Sequence, residues 1–150
     1  MADQTRYTEA VDLHLVLRDR EGRIALGRRR NTGWMDDHYH VPSGHKEINE
    51  SASHGAVREA KEETGAEIKP EELRLVHVMS HYTTAGRCAL FFEVTRPEWN
   101  LTNTEPDKCD GWEFVAPDAL PDNIVPYAAA ALSHISKNIN YSERGWEKAR

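Results

Sequence analysis

The chain has 150 residues, a length at which one compact domain can bury a substantial core without disulfides or structural metals. Hydrophobic residues make up 39% and charged residues 29%, and no apolar run approaches the roughly 18 residues that a membrane-spanning helix needs. The formal net charge of -6 argues against a general nucleic-acid binder, which usually shows a basic patch. We therefore expect a single domain over residues 1–150 with no membrane segment and a small-molecule ligand.

The N-terminal residues and the two cysteines indicate the cellular compartment. The first ten residues, MADQTRYTEA, contain neither the basic nor the apolar segment of a secretory signal, so the default expectation is the cytoplasm. Cys88 and Cys109 are too few for a disulfide framework and too far apart for a typical metal-binding pair. Free thiols in a reducing compartment are expected. The sequence leaves both a monomer and a homodimer open.

The first third of the chain favours antiparallel strands followed by an irregular loop. Residues 11–17 (VDLHLVL) and 23–27 (RIALG) are typical of strands, and the turn formers of residues 19–22 between them predict a hairpin. Residues 31–39 (NTGWMDDHY) combine turn formers with aromatic side chains. Loops of this kind often border functional sites, so we expect a site beside it.

The segment SASHGAVREAKEET, residues 51–64, predicts a helix. Ser51 or Ser53 can serve as the N-cap, and Gly65 is the expected C-terminal stop. Its apolar positions fall on one stripe and should face the core: Ala56, Val57, Ala60 and Thr64.

The remaining elements predict an α/β (α+β) fold. Short strands are expected at residues 73–78, 88–94 and 112–115, and a second amphipathic helix, opened by a proline, at residues 126–139. The polar tail after Tyr141 is expected to fray. Without repeats or linkers, these elements should share one core as a mixed β-sheet with helices packed on it.

Three acids in the first helix form a carboxylate cluster. Glu59, Glu62 and Glu63 are spaced three and four residues apart, which places them on one helix face. Like charges there, near a helix C-terminus, oppose each other and the helix dipole, so a cation should offset them. Oxygen ligands suit Mg²⁺, and Mn²⁺ is also possible. A plainer alternative is a solvated helix face on which Arg58 and Lys61 partner the acids.

Spacing outside the helix favours the metal interpretation. Gly44 is followed after five residues by Glu50 and after seven more by Arg58 and Glu59, and then come Glu62, Glu63 and Gly65. This pattern matches every fixed letter of the Nudix box, GX5EX7REUXEEXGU, in which U is a bulky aliphatic residue. Seven fixed letters at about 7% background each would match by chance roughly once in 10⁸ windows.

The chain therefore resembles the Nudix superfamily in its MutT-like branch. The resemblance implies an α/β/α sandwich, in which a mixed sheet is packed between helices, and hydrolysis of a diphosphate linkage with a divalent cation. Ala60 and Ala66 depart from the box, because they occupy its bulky aliphatic positions. These alanines should thin the helix packing but touch no proposed ligand.

The resemblance also implies roles for the box residues. Glu59, Glu62 and Glu63, with the backbone carbonyl of Gly44, match the metal ligands. Glu50 would support the site, and Arg58 would orient the glutamates by ion pairing. These roles make Glu50, Arg58, Glu59 and Glu63 the candidate catalytic residues.

The general base that accepts the proton of the attacking water has several candidates. Glu63 is the first choice, because it can sit beside that water, and Glu59 is the alternative. Family members also take this base from a loop outside the box, for which Glu105 and Asp110 are available. The sequence leaves these options open.

Five residues are candidates for binding the substrate. Arg29, in a run of three arginines at a strand end, resembles the phosphate-binding arginines of MutT-like enzymes, although it could be solvated. Trp34 and Tyr39 could stack on a base or pack into the core. Asp122 and Asn123 fall where these enzymes read the base edge, but could simply cap the second helix.

Three functional hypotheses follow. The first is a pyrophosphohydrolase that converts a nucleoside triphosphate, or a modified one, to the monophosphate and pyrophosphate. The second is a hydrolase of a nucleoside diphosphate linked to a sugar or another group. The third is a nucleotide-sensing module without catalysis, which the intact set of box glutamates disfavours.

Overall fold

The computed structural model describes residues 6–150 as one eight-stranded mixed sheet with two α-helices. The strands are β1 (Ala10–Arg18), β2 (Ile24–Arg29), β3 (Tyr39–His40), β4 (Ser43–His45), β5 (Arg74–Tyr82), β6 (Gly86–Thr95), β7 (Cys109–Val115) and β8 (Tyr141–Arg144), and the helices are α1 (Ala52–Thr64) and α2 (Pro126–Ser136). Over these 145 described positions, 6–150, no helix is long and apolar enough to cross a membrane.

The sheet is built around a parallel central pair. β1 pairs in parallel with β6, with Leu13 beside Leu90, and the main path of the sheet runs β3-β2-β1-β6-β5-β8. β4 pairs with the other edge of β1, and β7 pairs antiparallel with β2. The expected hairpin of β1 and β2 is confirmed, with Arg18 opposite Ile24. This arrangement places β4 next to β1, where α1 contacts both strands.

The two helices cover opposite faces of the sheet, which confirms the expected sandwich. Alternation along β1 sends Leu13, Leu15 and Leu17 to the face that packs against Ala56 and Ala60 of α1. Val16 points the other way, into a core shared with apolar residues of α2. Because Ala56 and Ala60 are fully buried, their small side chains allow α1 to approach the sheet closely.

Helix α1 begins and ends as its sequence predicts. The Ser51 side chain accepts a hydrogen bond from the His54 N–H, so Ser51 is the N-cap. Gly65 adopts a left-handed conformation at φ 71°, and its N–H donates to the Lys61 carbonyl. Both ends of the helix that carries the carboxylate cluster are therefore fixed by local hydrogen bonds.

The C-terminal region differs from the expectation in two ways. Helix α2 ends at Ser136 rather than Ile139, because Asn138 turns the chain with a positive φ of 58°. The expectation that the tail after Tyr141 frays is wrong, since β8 pairs in parallel with β5. The indole N–H of Trp146 also donates to the Ser80 carbonyl at 2.9 Å. The polar side chains of the tail gave no signal of this strand, because it pairs with β5 through backbone hydrogen bonds.

Candidate active site

Arg58 is the hub of the acidic cluster on α1. Its guanidinium donates to both carboxylate oxygens of Glu50, at 3.0 and 2.8 Å, and to Glu59 at 2.8 Å. Further bonds reach Glu62 at 3.1 Å and the His45 carbonyl at 3.0 Å. These contacts raise the pKa of Arg58 above its usual value, chiefly through Glu50. One side chain therefore sets the positions of three acids and of the chain leaving β4.

Glu50 acts on the cluster through Arg58. The backbone N–H of Glu47 donates to its carboxylate at 2.6 Å, and the bonds from Arg58 hold the Glu50 pKa at about 2. Gly55 packs closely beside it, since a Cβ on Gly55 would lie 2.5 Å from a methyl carbon of Leu13 and 2.7 Å from a carboxylate oxygen of Glu50. The structure thus places Glu50 as a positioning residue for Arg58.

Gly44 lies directly against Glu59. A Cβ at position 44 would lie 2.1 Å from the carboxyl carbon of Glu59, so only glycine leaves room for that carboxylate. The Glu59 side chain is 11% exposed, and burial raises its pKa. The backbone of β4 and a buried carboxylate of α1 thereby meet at one point.

Glu63 is the third carboxylate of the cluster on α1. The backbone N–H of Ser43 donates to one of its carboxylate oxygens at 3.0 Å. Burial, with smaller contributions from the like charges of Glu59 and Glu105, raises the Glu63 pKa to about 8 against the opposing effect of the Ser43 bond. Poor hydration and excess negative charge would both be relieved by a bound cation.

The oxygen groups at this point have the chemistry of a divalent-cation site. The carboxylates of Glu59, Glu62 and Glu63 and the backbone of Gly44 provide hard oxygen ligands without sulfur or imidazole. From residue 6 onward, no three acidic, histidine or cysteine side chains already converge as the ligands of one ion. Arg58 holds Glu59 and Glu62, and the Ser43 N–H holds Glu63. These oxygen ligands fit a divalent metal ion. The ion pairs with Arg58 hold Glu59 and Glu62 in place.

A cavity of about 330 Å³ opens beside Glu63. Its walls include Arg29, Ser43, Glu105, Lys108 and Trp112. Glu105 is half-buried, whereas the other loop acid, Asp110, is exposed and pairs with Arg30 at 3.1 Å. Of the two loop acids that the sequence offered as a base, the structure brings only Glu105 into the cavity with Glu63.

Arg29 supplies positive charge to this cavity. It donates to the Trp34 carbonyl and to the Thr32 hydroxyl, each at 3.0 Å, and its guanidinium lies 4.9 Å from the centre of the Trp34 ring. The neighbouring arginines face elsewhere, since Arg28 pairs with Asp37 and Arg30 with Asp110. Alternation along β2 therefore separates Arg29 from Arg28.

A second cavity, of about 550 Å³, adjoins the first and shares Arg29 and Ser43 with it. Trp34, which is 47% exposed, lies on its wall together with His81 and Tyr127. The two cavities thus meet on either side of Arg29, next to the carboxylate cluster.

A sequence model of the NUDIX domain matches residues 8–135 of the chain. The chain belongs to the Nudix family. It is a Nudix pyrophosphohydrolase that acts on pyrophosphate bonds, and the enzymes of this family generally use divalent cations and small nucleotide-like substrates. The resemblance inferred from the box is thereby confirmed.

Solved Nudix structures share the fold at low identity. The MutT NUDIX hydrolase from Burkholderia pseudomallei is 22% identical, with a TM-score of 0.74 over 85% of this chain and 98% of its own. The MutT protein from Methanosarcina mazei Go1 is 15% identical, with a TM-score of 0.74 over 88% and 97%. A UDP-X diphosphatase is 16% identical, with a TM-score of 0.64 over 93% and 68%.

Three of the expected substrate-binding residues of this Nudix protein lie outside the two cavities. Tyr39 pairs with Arg28 and packs against the core on the α2 side, so strand alternation turns it away from Arg29. The Asn123 side chain donates to the Asp37 carbonyl at 2.7 Å, and the backbone carbonyl of Asn123 accepts from the Tyr39 N–H. Asp122 is exposed beside it. In this structure, Asn123 ties two loops together.

The sequence analysis missed a polar group beneath the Nudix site. His14, His40 and Tyr127 are joined by hydrogen bonds below the cavity of Glu63, and Ser43 contributes its N–H to that glutamate. A signal was present in the strand VDLHLVL, because Asp12 and His14 put polar side chains on the same face of β1 as Val16. A buried histidine there requires polar partners elsewhere in the chain.

Proposed function

We propose that this Nudix protein is a Mg²⁺-dependent hydrolase that converts a nucleoside triphosphate, or a modified one, to the monophosphate and pyrophosphate. The observation that carries the proposal is the position of Glu63, which shares one cavity with Arg29 and Lys108. The two cations suit the phosphate chain, while the acids suit a divalent ion and a proton acceptor. Mn²⁺ could take the place of Mg²⁺.

The residues that would hold the ion are Glu59, Glu62, Glu63 and the carbonyl of Gly44. A bound divalent cation would supply positive charge against the diphosphate oxygens and the departing phosphate. Arg58 sets the side-chain positions of Glu59 and Glu62, and Glu50 fixes Arg58 in turn. Preorganised charge of this kind is the main contribution that a protein makes to phosphoryl transfer.

Glu63 is the proposed proton acceptor. Water attacks one phosphorus of the linkage, the bridging P–O bond breaks, and the proton of the water passes to the carboxylate. The Ser43 N–H donates to one carboxylate oxygen of Glu63, and the proton would pass to the other oxygen. Glu105 lines the same cavity and is the alternative acceptor, whereas Glu59 is held by Arg58 against Gly44.

A nucleoside diphosphate joined to a sugar is the second candidate substrate. The second cavity favours it, since about 550 Å³ beside Trp34 gives a polar sugar space beyond the diphosphate. Among the fold neighbours, one is a UDP-X diphosphatase. Both candidates place the diphosphate against Arg29, where the two cavities meet.

The deciding experiment is hydrolysis of a panel of nucleoside triphosphates, nucleotide sugars and dinucleotides, with Mg²⁺, with Mn²⁺ and with chelator. Release of pyrophosphate, detected with inorganic pyrophosphatase, identifies the first substrate class. Phosphate released only after phosphatase treatment, without pyrophosphate, identifies the second. Absence of metal-dependent cleavage of the whole panel would overturn the proposed substrates.

Variants connect that activity with the site. Glu63→Gln should lower kcat by at least about 10²-fold, because the proton acceptor is lost. Glu105→Gln tests the alternative acceptor: because Glu63 is also a proposed metal ligand, a loss of kcat in Glu105→Gln as large as that in Glu63→Gln would assign the proton to Glu105. Glu67→Gln is the matched control, since Glu67 lies three residues beyond the end of α1 with a side chain that is 82% exposed. Near-normal turnover of Glu63→Gln would remove Glu63 from the chemistry.

A further inference from the structure

Three buried or half-buried side chains form a hydrogen-bonded chain beneath the catalytic cavity. The Nε2 atom of His14 lies 2.7 Å from the hydroxyl oxygen of Tyr127, and that oxygen lies 3.2 Å from Nε2 of His40. At its far end, Nδ1 of His14 lies 3.2 Å from the Leu90 carbonyl. The chain links β1, α2 and β3, and His40 lies on the wall of the cavity that contains Glu63.

The Leu90 carbonyl fixes the direction of every bond in this chain. A carbonyl can only accept, so Nδ1 of His14 carries the proton and donates. The other ring nitrogen of neutral His14 therefore accepts, and the Tyr127 hydroxyl donates its single proton to it. The Tyr127 oxygen must then accept from the next member, which places the proton of His40 on Nε2.

Both imidazoles are neutral, as this argument requires. Burial lowers the pKa of His14 to about 4, and burial also lowers the pKa of His40 well below its usual value, with His14 and Arg29 as smaller causes. His14 is fully buried and His40 is 4% exposed. At neutral pH each ring thus carries one proton, which lies on Nδ1 of His14 and on Nε2 of His40.

One atom at the end of the chain has no partner. Nδ1 of His40 is an acceptor in this tautomer, it is buried, and it makes no hydrogen bond within residues 6–150. Buried polar groups are normally satisfied, and an exception calls for a reason. The ring belongs to the cavity wall near Glu63 and Arg29, so the missing donor is expected from a molecule in that cavity.

We propose that Nδ1 of His40 accepts a hydrogen bond from an N–H or O–H group of the substrate, which makes His40 a specificity-determining residue. The inference rests on the proposed function, because it assigns a contact to the group joined to the diphosphate. The substrate class is a nucleotide with a donor there, such as an amino-bearing base or a hydroxyl-bearing sugar. A molecule that presents only an acceptor would set one lone pair against another, and binding would weaken.

The proton positions can be measured without any substrate. Two-bond ¹H–¹⁵N correlation spectra distinguish a protonated from an unprotonated imidazole nitrogen, and comparison with His40→Gln and His14→Gln assigns the two rings. We expect His14 protonated on Nδ1 and His40 protonated on Nε2. A proton on Nδ1 of His40 would overturn the inference, because that atom could no longer accept.

Substrate selectivity tests the contact itself. Suitable pairs differ by one donor: GTP with ITP, ATP with 2′-deoxy-ATP, and UDP-glucose with its 2-deoxy-2-fluoro form. The wild-type protein should prefer the donor-bearing member of at least one pair by about tenfold in kcat/KM, chiefly through KM. His40→Gln should reduce that preference to within about twofold, since glutamine can keep the bond to Tyr127 but lacks the Nδ1 acceptor.

Two further variants make the result specific. His38→Gln is the matched control, because His38 lies two residues earlier and lines neither cavity; it should keep the wild-type preference. Tyr127→Phe removes the hydroxyl that fixes the tautomer while His40 remains, so the preference should relax there as well. This variant also serves if His40→Gln does not fold.

The outcomes separate this inference from the proposed function. Hydrolysis with an unchanged preference in both His40→Gln and Tyr127→Phe would overturn the role of His40 and leave the proposed function intact. No hydrolysis of any panel compound by the wild-type protein would overturn the proposed function and the substrate contact together.

Discussion

Replacing Glu63 with glutamine should make the metal-free protein more stable while removing its activity. The folded-state pKa of Glu63 is about 8, above the ordinary value of 4.5, because burial disfavours the charged carboxylate. A raised pKa contributes stability that is fully present below pH 4.5 and is lost as the pH rises through about 8. Glutamine mimics the protonated acid, can still accept from the Ser43 N–H, and does not titrate.

The size of the effect follows from the shift. Each unit of difference in pKa corresponds to about 1.4 kcal/mol. The full rise in the Glu63 pKa therefore limits the destabilisation of the folded protein above pH 8 to about 5 kcal/mol. Glu63 is half-buried, and water that reaches it will reduce this figure. We expect Glu63→Gln to exceed the wild-type free energy of unfolding by about 2 to 5 kcal/mol at pH 8.5, and by little at pH 5.

The assay is urea unfolding in EDTA at several values between pH 5 and pH 9, for both proteins. Mg²⁺ should narrow the difference, because an ion bound to the folded wild type stabilises it. Glu62→Gln is the control; its side chain is 54% exposed, so the free energy of unfolding should change by less than about 1 kcal/mol throughout. A difference between Glu63→Gln and wild type that does not grow with pH would refute the reasoning.

Three other perturbations give separate checks. Gly44→Ala should lower kcat/KM by about 10²-fold with an unchanged circular dichroism spectrum, because the added Cβ displaces the Glu59 carboxylate; normal kinetics would contradict the close approach. Trp146→Phe should lower the free energy of unfolding in urea by about 1 kcal/mol through loss of the indole hydrogen bond, and an unchanged value would mean that β8 is not held this way. His14, with a pKa of about 4, should cost stability as the pH falls from 6.5 toward 4, by at most about 3 kcal/mol. The pH slope of unfolding should therefore be shallower in His14→Gln over that range, and equal slopes would show that His14 is not buried in its neutral form.

The α/β/α fold and the ends of α1 could be predicted because their signals are local. Ser51 and Gly65 fix the helix ends with hydrogen bonds to atoms within four residues, and the spacing of the glutamates sets one helix face. The strand β8 could not be predicted in this way. Its pairing with β5 is made by backbone groups, and Trp146 makes its hydrogen bond across 66 positions of sequence.

The residues of the candidate site could likewise be predicted only where their signals are local. The acids of the box and Arg29 lie together because helix and strand periodicity place them, and both periods can be read from the chain. Asn123 has the right chemistry for a base edge, but its amide is already used by a backbone carbonyl in the fold. His40 depends on Tyr127, which lies 87 positions away, so its unpartnered nitrogen has no local signature.

The end of α1 is joined to the loop that carries Glu105, and to β7, through three consecutive carbonyl oxygens. The Glu62 carbonyl accepts from the Thr104 hydroxyl, the Glu63 carbonyl from the Trp112 indole, and the Thr64 carbonyl from the Thr102 N–H. Lifting that loop would strip partners from the last turn of the helix, so the two should open as one cooperative unit in hydrogen exchange.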